Sequence, residues 1–467
     1  MNSVSSNDAK NILCLVTSTL VLALLILHIA RYRKKPKWLR MFYVWIGVLA
    51  VLGGAWAFLF PLAITADFGK DGDGAALRQM LIYTTGGVLG VITLGENHRK
   101  NSLEKAKNDQ DHIRQVHAER RSRYTTAVEQ LSSDKASIRL GGVYTLVGLV
   151  DEWLADEKTI PSIEERHKEG QVIINNLCAY IRSPLPLAER AEQLDKDYAK
   201  DLQNDFDGDI EKFDADKRAF ARDKAALEEE RQVRQSIIKE ICERLQYIGT
   251  PGSWSKLDYD FSNAHFFYPI GFTNSYFGAS SKFSGATFIE NADFSRTAFT
   301  ERAPFSGATF TQEANFSKAE FAEDADFSGA KFTRSNFSGA EFTDANFFGV
   351  KFTRSNFSGA EFAQDADFSG AEFAQDADFS GAEFTGYTHF TEAAFQTEPI
   401  FGSVPGNEAR FSCKVDPENY DFEVSSESPY KIDIWKPKHN GFEFTIPKGA
   451  ILFDPDEPPE LDDNDDS

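Results

Sequence analysis

The chain has 467 residues, enough for several structural units, and carries 72 acidic against 50 basic side chains, a formal net charge of −22. That balance argues against a protein gripping nucleic acid through a basic surface, because phosphate neutralisation needs clustered Lys and Arg. Four cysteines, at 14, 178, 242 and 413, are too sparse for a disulfide framework and lack metal-ligand spacing, whereas 41 Phe against 14 Tyr and 6 Trp is the kind of bias a repeat produces.

The first hundred residues read as a membrane region. Residues 11–30 contain no charged side chain, enough for one helical crossing. The leading MNSVSSNDAK has no net positive charge, which argues against a cleaved signal peptide. RYRKKPKWLR (31–40) then supplies six bases and no acid, and a second uncharged run spans 41–66, with Trp45, Trp56, Phe58 and Phe60 suited to the interface or to lipid. A third, weaker candidate spans 77–95, where Met80 to Gly95 are uncharged. Residues 97–123 are again net basic, so the positive-inside rule predicts three crossings, an external N-terminus and a cytoplasmic remainder. A reducing compartment agrees with unpaired Cys178, Cys242 and Cys413. His28, within the first run, is read as a packing residue rather than a proton relay.

Residues 101–250 read as an α-helical linker domain. Ala127, Val128, Leu131, Ile138, Leu140, Val143, Leu146, Val147 and Val150 recur at helical spacing. The break at 132–137 marks a helical hairpin. Further apolar helices are expected at 171–185, ending before Pro184, and at 230–249, ending at Gly249. Between them lies a charged helical insertion, 186–228. Leu194, Tyr198, Leu202 and Phe206 step by four; Phe206, Phe213, Phe220 and Leu227 step by seven, a coiled-coil seam. The change of period beside Gly208 suggests a turn between two helices. Asp205, Asp207 and Asp214 imitate calcium-loop positions, but Gln203 stands where the first carboxylate is required, so a solvated turn is the better account.

From Phe261 to Phe401, Phe recurs 27 times at spacings of five or six. A small residue usually sits two positions earlier, and FSGA recurs at Phe283, Phe305, Phe327, Phe337, Phe357, Phe368 and Phe379. This period fits neither a helix face nor strand alternation; it fits a chain that turns a corner in every module. Phe and the small residue then point inward, polar residues outward, and Ser-Gly occupies the corner. Outside 327–362 the spacing alternates five and six, which implies an extra residue at every second corner. FTRSNFSGAEF at 332–342 repeats four modules later, at 352–362.

Over residues 257–401 this pattern resembles the pentapeptide-repeat family. The resemblance implies a right-handed, four-sided β-helix with four modules per coil, hence about seven coils and roughly 30 Å of height at about 4.8 Å per strand. The β-helix domain is placed at 251–401. The helix at 230–249 and the PGSW turn at 251–254 are expected to cap its first coil, and residues 402–453 its last. Residues 454–467, with eight acids and no base, are expected to be disordered. Residues 123–150, with LCAYIRSP and ERQVRQSIIKEICERL, are similar to the linker joining membrane spans to pentapeptide repeats in bacterial membrane proteins of this family.

No P-loop, HExxH, GxSxG or dinucleotide fingerprint occurs. Eight His are scattered at 28, 98, 112, 117, 167, 265, 389 and 439, and His112 and His117, five apart, do not share a helix face as metal ligands would. No catalytic, cofactor-binding or metal-binding residue is assigned, and no direct contact with nucleic acid is expected. The expected function is that of a multi-pass membrane-anchored scaffold, without catalysis, whose acidic β-helix meets a protein partner. The resemblance also offers an alternative, inhibition of a DNA-binding enzyme such as gyrase by DNA mimicry; residues 254–401 hold 21 acids and 9 bases, 9 − 21 = −12.

Overall fold

The computed structural model describes residues 73–457, apart from 200–204, 208, 251 and 403. The expected spans 11–30 and 41–66 lie outside the described residues, with Cys14, His28, Gln203, Gly208 and most of the acidic tail. The chain divides into two units, residues 1–117 and 118–467.

In the first unit the described residues belong to helix α1 (Asp73–Leu131). The expected span at 77–95 is corrected here: it is helical, but among the described residues no helix is long and apolar enough to cross a membrane. The physical reason is length. Sixteen uncharged residues at 1.5 Å each reach about 24 Å, short of a hydrocarbon core of about 30 Å.

In the second unit the end of α1 packs with α2 (Ala136–Ala155), α3 (Ile163–Arg182) and α4 (Ile210–Leu245). Ala127, Val143, Leu146, Val150, Ile174, Leu177, Ile237 and Ile241 are fully buried between them, the face that 3.6-residue spacing brings together. Ile138, expected on this face, is instead 40% exposed. At Gly142 the helices approach so closely that a Cβ would stand 2.7 Å from the Ala127 carbonyl. Ser162 caps α3 by accepting from the Glu165 amide, and Asp209 caps α4 by accepting from that of Lys212. The expected insertion does not end before a separate helix at 230: α4 runs unbroken from Ile210 to Leu245. The seam folds onto itself, with Tyr198 edge-on to Phe213 and Phe220 (5.7 and 5.3 Å) and Phe206 edge-on to Phe213 (5.9 Å).

The rest of the unit is a β-solenoid of parallel strands, in sheets of ten and twelve strands among the described residues. Four columns of Phe fill it. Counting the stacked rings, one column runs from Phe261 to Phe390, a second from Phe266 to Phe395, a third from Phe272 to Phe401 and a fourth from Phe277 to Phe384. Within a column the rings are stacked almost parallel, as Phe316 and Phe337 are at 5.0 Å and 8°. Between columns they meet edge to face, as Phe337 meets Phe327 and Phe347 at 5.4 and 5.5 Å.

Half of the corners are tight turns. Phe283 O accepts from Ala286 N at 3.0 Å, with Gly285 between them at φ 67°; Gly307, Gly329, Gly339, Gly349, Gly359, Gly370 and Gly381 repeat that conformation. The Asp or Asn before the Phe completes the turn by accepting from the amide two residues on, as Asp326 does from Ser328 at 3.0 Å. The other corners are extended. In the middle coils the chain passes through them as unbroken six-residue strands, Lys331–Asn336, Glu341–Asn346 and Lys351–Asn356. The extra residue of the wider coils enters only here, where pairing slips between Phe310 and Glu313 and between Phe321 and Asp324.

Both ends are covered. At the first coil, Tyr247 N donates to Asn274 O (2.9 Å), Asp258 N donates to Gln171 Oε1 (2.7 Å), and Trp254 is fully buried. At the last, the stack outlasts the repeat. After the loop at 402–409, Phe411 stacks on Phe384 at 4.7 Å and Phe422 on Phe390 at 5.7 Å. Strand Ile451–Phe453 pairs with Arg410–Ser412, and Phe444, Ile446 and Ala450 are buried in the closing cap.

Candidate interaction surface

In its middle coils the solenoid's two sheets differ in charge. Phe and small residues occupy the inward positions and Asp or Asn commits itself to the turns, so the freely variable outward positions are those beside the extended corners. On the twelve-stranded sheet, parallel register places Glu320 beside Glu341, Glu341 beside Glu361 and Glu361 beside Glu383. A second row places Asp324 beside Asp344, and Asp365 follows, its amide donating to Asp344 Oδ1 at 3.2 Å.

The electrostatics record this crowding. Partial burial and the neighbouring carboxylates Glu341 and Glu383 raise the Glu361 carboxyl above its ordinary value. Asp365 is raised by burial and by Asp344, despite His389 nearby, and Asp324 by burial, although Arg302 opposes the shift. Arg302 binds Asp324 at 2.8 Å at one end of the face, and Arg410 pairs with Glu383 at the other. Between them, among the described residues, Glu320, Glu341 and Glu361 have no ion-pair partner.

On the ten-stranded sheet the two middle coils carry the opposite sign at these positions, flanked by Glu313 beside Arg334 and Glu372 beside Lys351. Lys331 lies beside Lys351 and Arg334 beside Arg354, four of the nine bases in residues 254–401. Lys351 pairs with Glu372 at 2.8 Å and Arg354 donates to Gln375 at 2.6 Å. Near the same middle coils, Phe348 occupies a corner position held by serine at 284, 306, 328 and 369, and is 57% exposed.

The residues singled out from sequence do not converge elsewhere. Cys178 is buried, its thiol pushed up to about 12 by loss of solvent, and Cys242 and Cys413 are half-buried with raised values of the same main cause. His112 is exposed on α1, and His389 continues the row of Asp367 on the acidic sheet. Asp205 and Asp207 are exposed, and among the described residues no cluster of ligating side chains could hold a metal. A groove of about 540 Å³ between α4 and the first coil, lined by Leu140, Ile238, Cys242 and Ile270, is mainly apolar. Charged pairs, buried at Arg234 and Glu230 and partly exposed at Asp151 and Arg244, occur where the helices meet the solenoid. Arg234 binds Glu230 (2.7 Å) and the carbonyls of Ile181 and Ser183, while Asp151 accepts from Arg244 (2.8 Å) and from the Trp254 indole (2.8 Å). These bonds hold the joint together.

Sequence reasoning treated the outward charges as an undivided solvated exterior and missed their segregation. The signal lay in successive half-coils, where KFTRSN, EFTDAN and KFTRSN alternate sign. The family model for pentapeptide repeats (9 copies) matches residues 272–320, 305–351 and 347–394. No curated protein and no solved structure matches the chain. With every matched segment inside the stacked Phe columns, the solenoid places this chain in the pentapeptide-repeat family.

Proposed function

We propose that the protein is a membrane-anchored scaffold that presents its acidic solenoid to a protein partner and carries no catalytic activity. The supporting observation is the acidic face: carboxylates stacked one per coil cost stability through like-charge repulsion, and among the described residues Glu320, Glu341 and Glu361 have no ion pair that would offset it. Such a face suits a partner bearing Lys and Arg. Anchoring is supported by the uncharged runs 11–30 and 41–66, and a cytoplasmic location of the solenoid by the net-basic stretch 97–123 that precedes it.

The partner is tested by placing a photo-crosslinking residue at Thr343, on the acidic sheet, or at Thr333, on the opposite one, in cells producing the chain. Adducts specific to position 343 and lost in Glu341→Lys/Glu361→Lys support the proposal; identical adducts from both positions refute it. A single Cys at Ser467, with the native cysteines removed, tests location. Labelling by an impermeant maleimide only after permeabilisation is expected, and labelling of intact cells would overturn the cytoplasmic placement. The net charge of −12 over residues 254–401 also favours a second reading, mimicry of DNA toward an enzyme such as gyrase. Salt-sensitive inhibition of gyrase by the chain would support it; no effect at micromolar concentration would retire it.

A further inference from the structure

We infer that the solenoid recognises a second copy of itself laterally, the Lys331/Arg334/Lys351/Arg354 face of one copy docking on the Glu341/Asp344/Glu361/Asp365 face of the next. The scaffold role proposed above does not use the basic face, so either proposal can fail alone.

Three observations carry the inference. The first is matched pattern. Strands Lys331–Asn336 and Lys351–Asn356 expose a base at their first and fourth positions, and strand Glu341–Asn346 carries an acid at the same two positions. The second is matched rise. Both ladders belong to one solenoid, so their rows climb by the same strand spacing, about 4.8 Å, and contact made at one coil is repeated at the next. The third is placement. The two ladders lie on different sheets of one coil, joined through tight turns, so a sideways shift of one copy sets the basic face of one against the acidic face of its neighbour. Because both ends of each strand carry the same sign, opposition holds whichever way the facing strands run.

Internal pairing leaves the charges available. Among the described residues Lys331, Arg334, Glu341, Asp344, Glu361 and Asp365 form no ion pair, while Lys351 pairs with Glu372 and Arg354 donates to Gln375 at the edge of the basic face. The contact rests on four charged side chains from each copy, far fewer than the roughly 20–30 residues a side of a standard stable interface. Pairing is therefore weak and ionic. The net charge of −22 opposes it at long range, but at about 0.15 M salt the screening length of about 8 Å suppresses that repulsion and spares contacts within an ion-pair distance. Each copy offers one face of each sign, so the contact is heterologous and extends beyond a dimer.

Zero-length carbodiimide crosslinking of the full-length chain, mixed from ¹⁴N- and ¹⁵N-labelled material and analysed by mass spectrometry, tests this. Lys351–Glu372, at 2.8 Å within one chain, is the internal control and gives same-isotope products. Mixed-isotope products joining Lys331 or Lys351 to Glu341, Asp344, Glu361 or Asp365 are expected, and their loss at about 1 M salt, where screening reaches about 3 Å. Arg334→Glu/Arg354→Glu keeps both lysines and should abolish the mixed products while leaving the control. Adding Asp344→Arg/Asp365→Arg material to that variant should restore them. Same-isotope products alone, with the control present, would overturn the inference, as would mixed products that survive Arg334→Glu/Arg354→Glu.

Discussion

Phe337 has no exposed surface and lies 5.0 Å from Phe316 on one side and 5.0 Å from Phe357 on the other. Truncating it leaves a void between two rings that the neighbouring coils hold apart, so Phe337→Ala is expected to cost about 3–5 kcal/mol in denaturant unfolding. Phe348 is the matched control: 57% exposed, it should tolerate Phe348→Ser within about 0.5 kcal/mol. Equal costs at the two positions would contradict the inward assignment of the columns. The corners differ in kind. At Gly359, φ is 63° and an added Cβ meets nothing within 4 Å, so Gly359→Ala isolates the backbone penalty, expected at about 1 kcal/mol. Lys318 and Arg296 hold the same conformation without glycine, which shows the turns to be imposed by stacking as well as by residue choice.

At the scale of the sheet, the acidic ladder has a pH signature. Burial and like-charged neighbours raise Glu361 in the folded chain, so the folded state binds that proton more tightly than the unfolded one, and stability falls as pH rises through the folded value. The penalty is complete at neutral pH and absent below the ordinary carboxyl range near 4. Glu361→Gln should therefore be more stable than the parent at pH 7, by about 0.5 kcal/mol for a partly exposed like-charge contact, with the advantage gone near pH 4. Thermal melts of both chains across that interval test the sign; an advantage that grows on acidification would refute it. The joint between helices and solenoid works the other way. Asp151 accepts from both Arg244 and Trp254, so Asp151→Ala orphans the buried Trp254 indole N–H and leaves Arg244 bonded to Glu240 alone. A loss of about 1–3 kcal/mol in unfolding is expected, with the loss of fixed Trp254 fluorescence preceding that of the solenoid's β signal.

At the largest scale, the solenoid of the second unit is a stack whose repeats touch mainly their neighbours, closed at both ends by non-repeating structure. The Phe columns, the turn chemistry and the site of the extra residue were legible in the sequence because each depends on contacts repeated every module, so one local rule is written many times over. The helical hairpin was legible for the same reason, through its 3.6-residue pattern. The continuity of α4 from Ile210 to Leu245 was not, because the charged half of that helix is stabilised by Tyr198, Phe206, Phe213 and Phe220 meeting across a turn, a contact between segments. The continuation of the stack through Phe411 and Phe422 was hidden too, since the loop at 402–409 breaks the period while three-dimensional stacking resumes beyond it.

Sequence by itself determined that the C-terminal third is a pentapeptide-repeat solenoid with an apolar phenylalanine interior, because inward positions admit few residue types and repeat on a fixed period. It determined equally that the outward charge is acidic on balance. Tertiary structure alone decided which charges become neighbours: residues 20 to 22 apart are brought side by side by the coil, and residues ten apart are sent to different sheets. Lys331 and Glu341 stand only ten residues apart yet belong to different sheets, whereas Glu341 and Glu361 are neighbours in register on paired strands. Charge segregation is a property of the coil's circumference, which acts over one full turn and so has no expression in any single module.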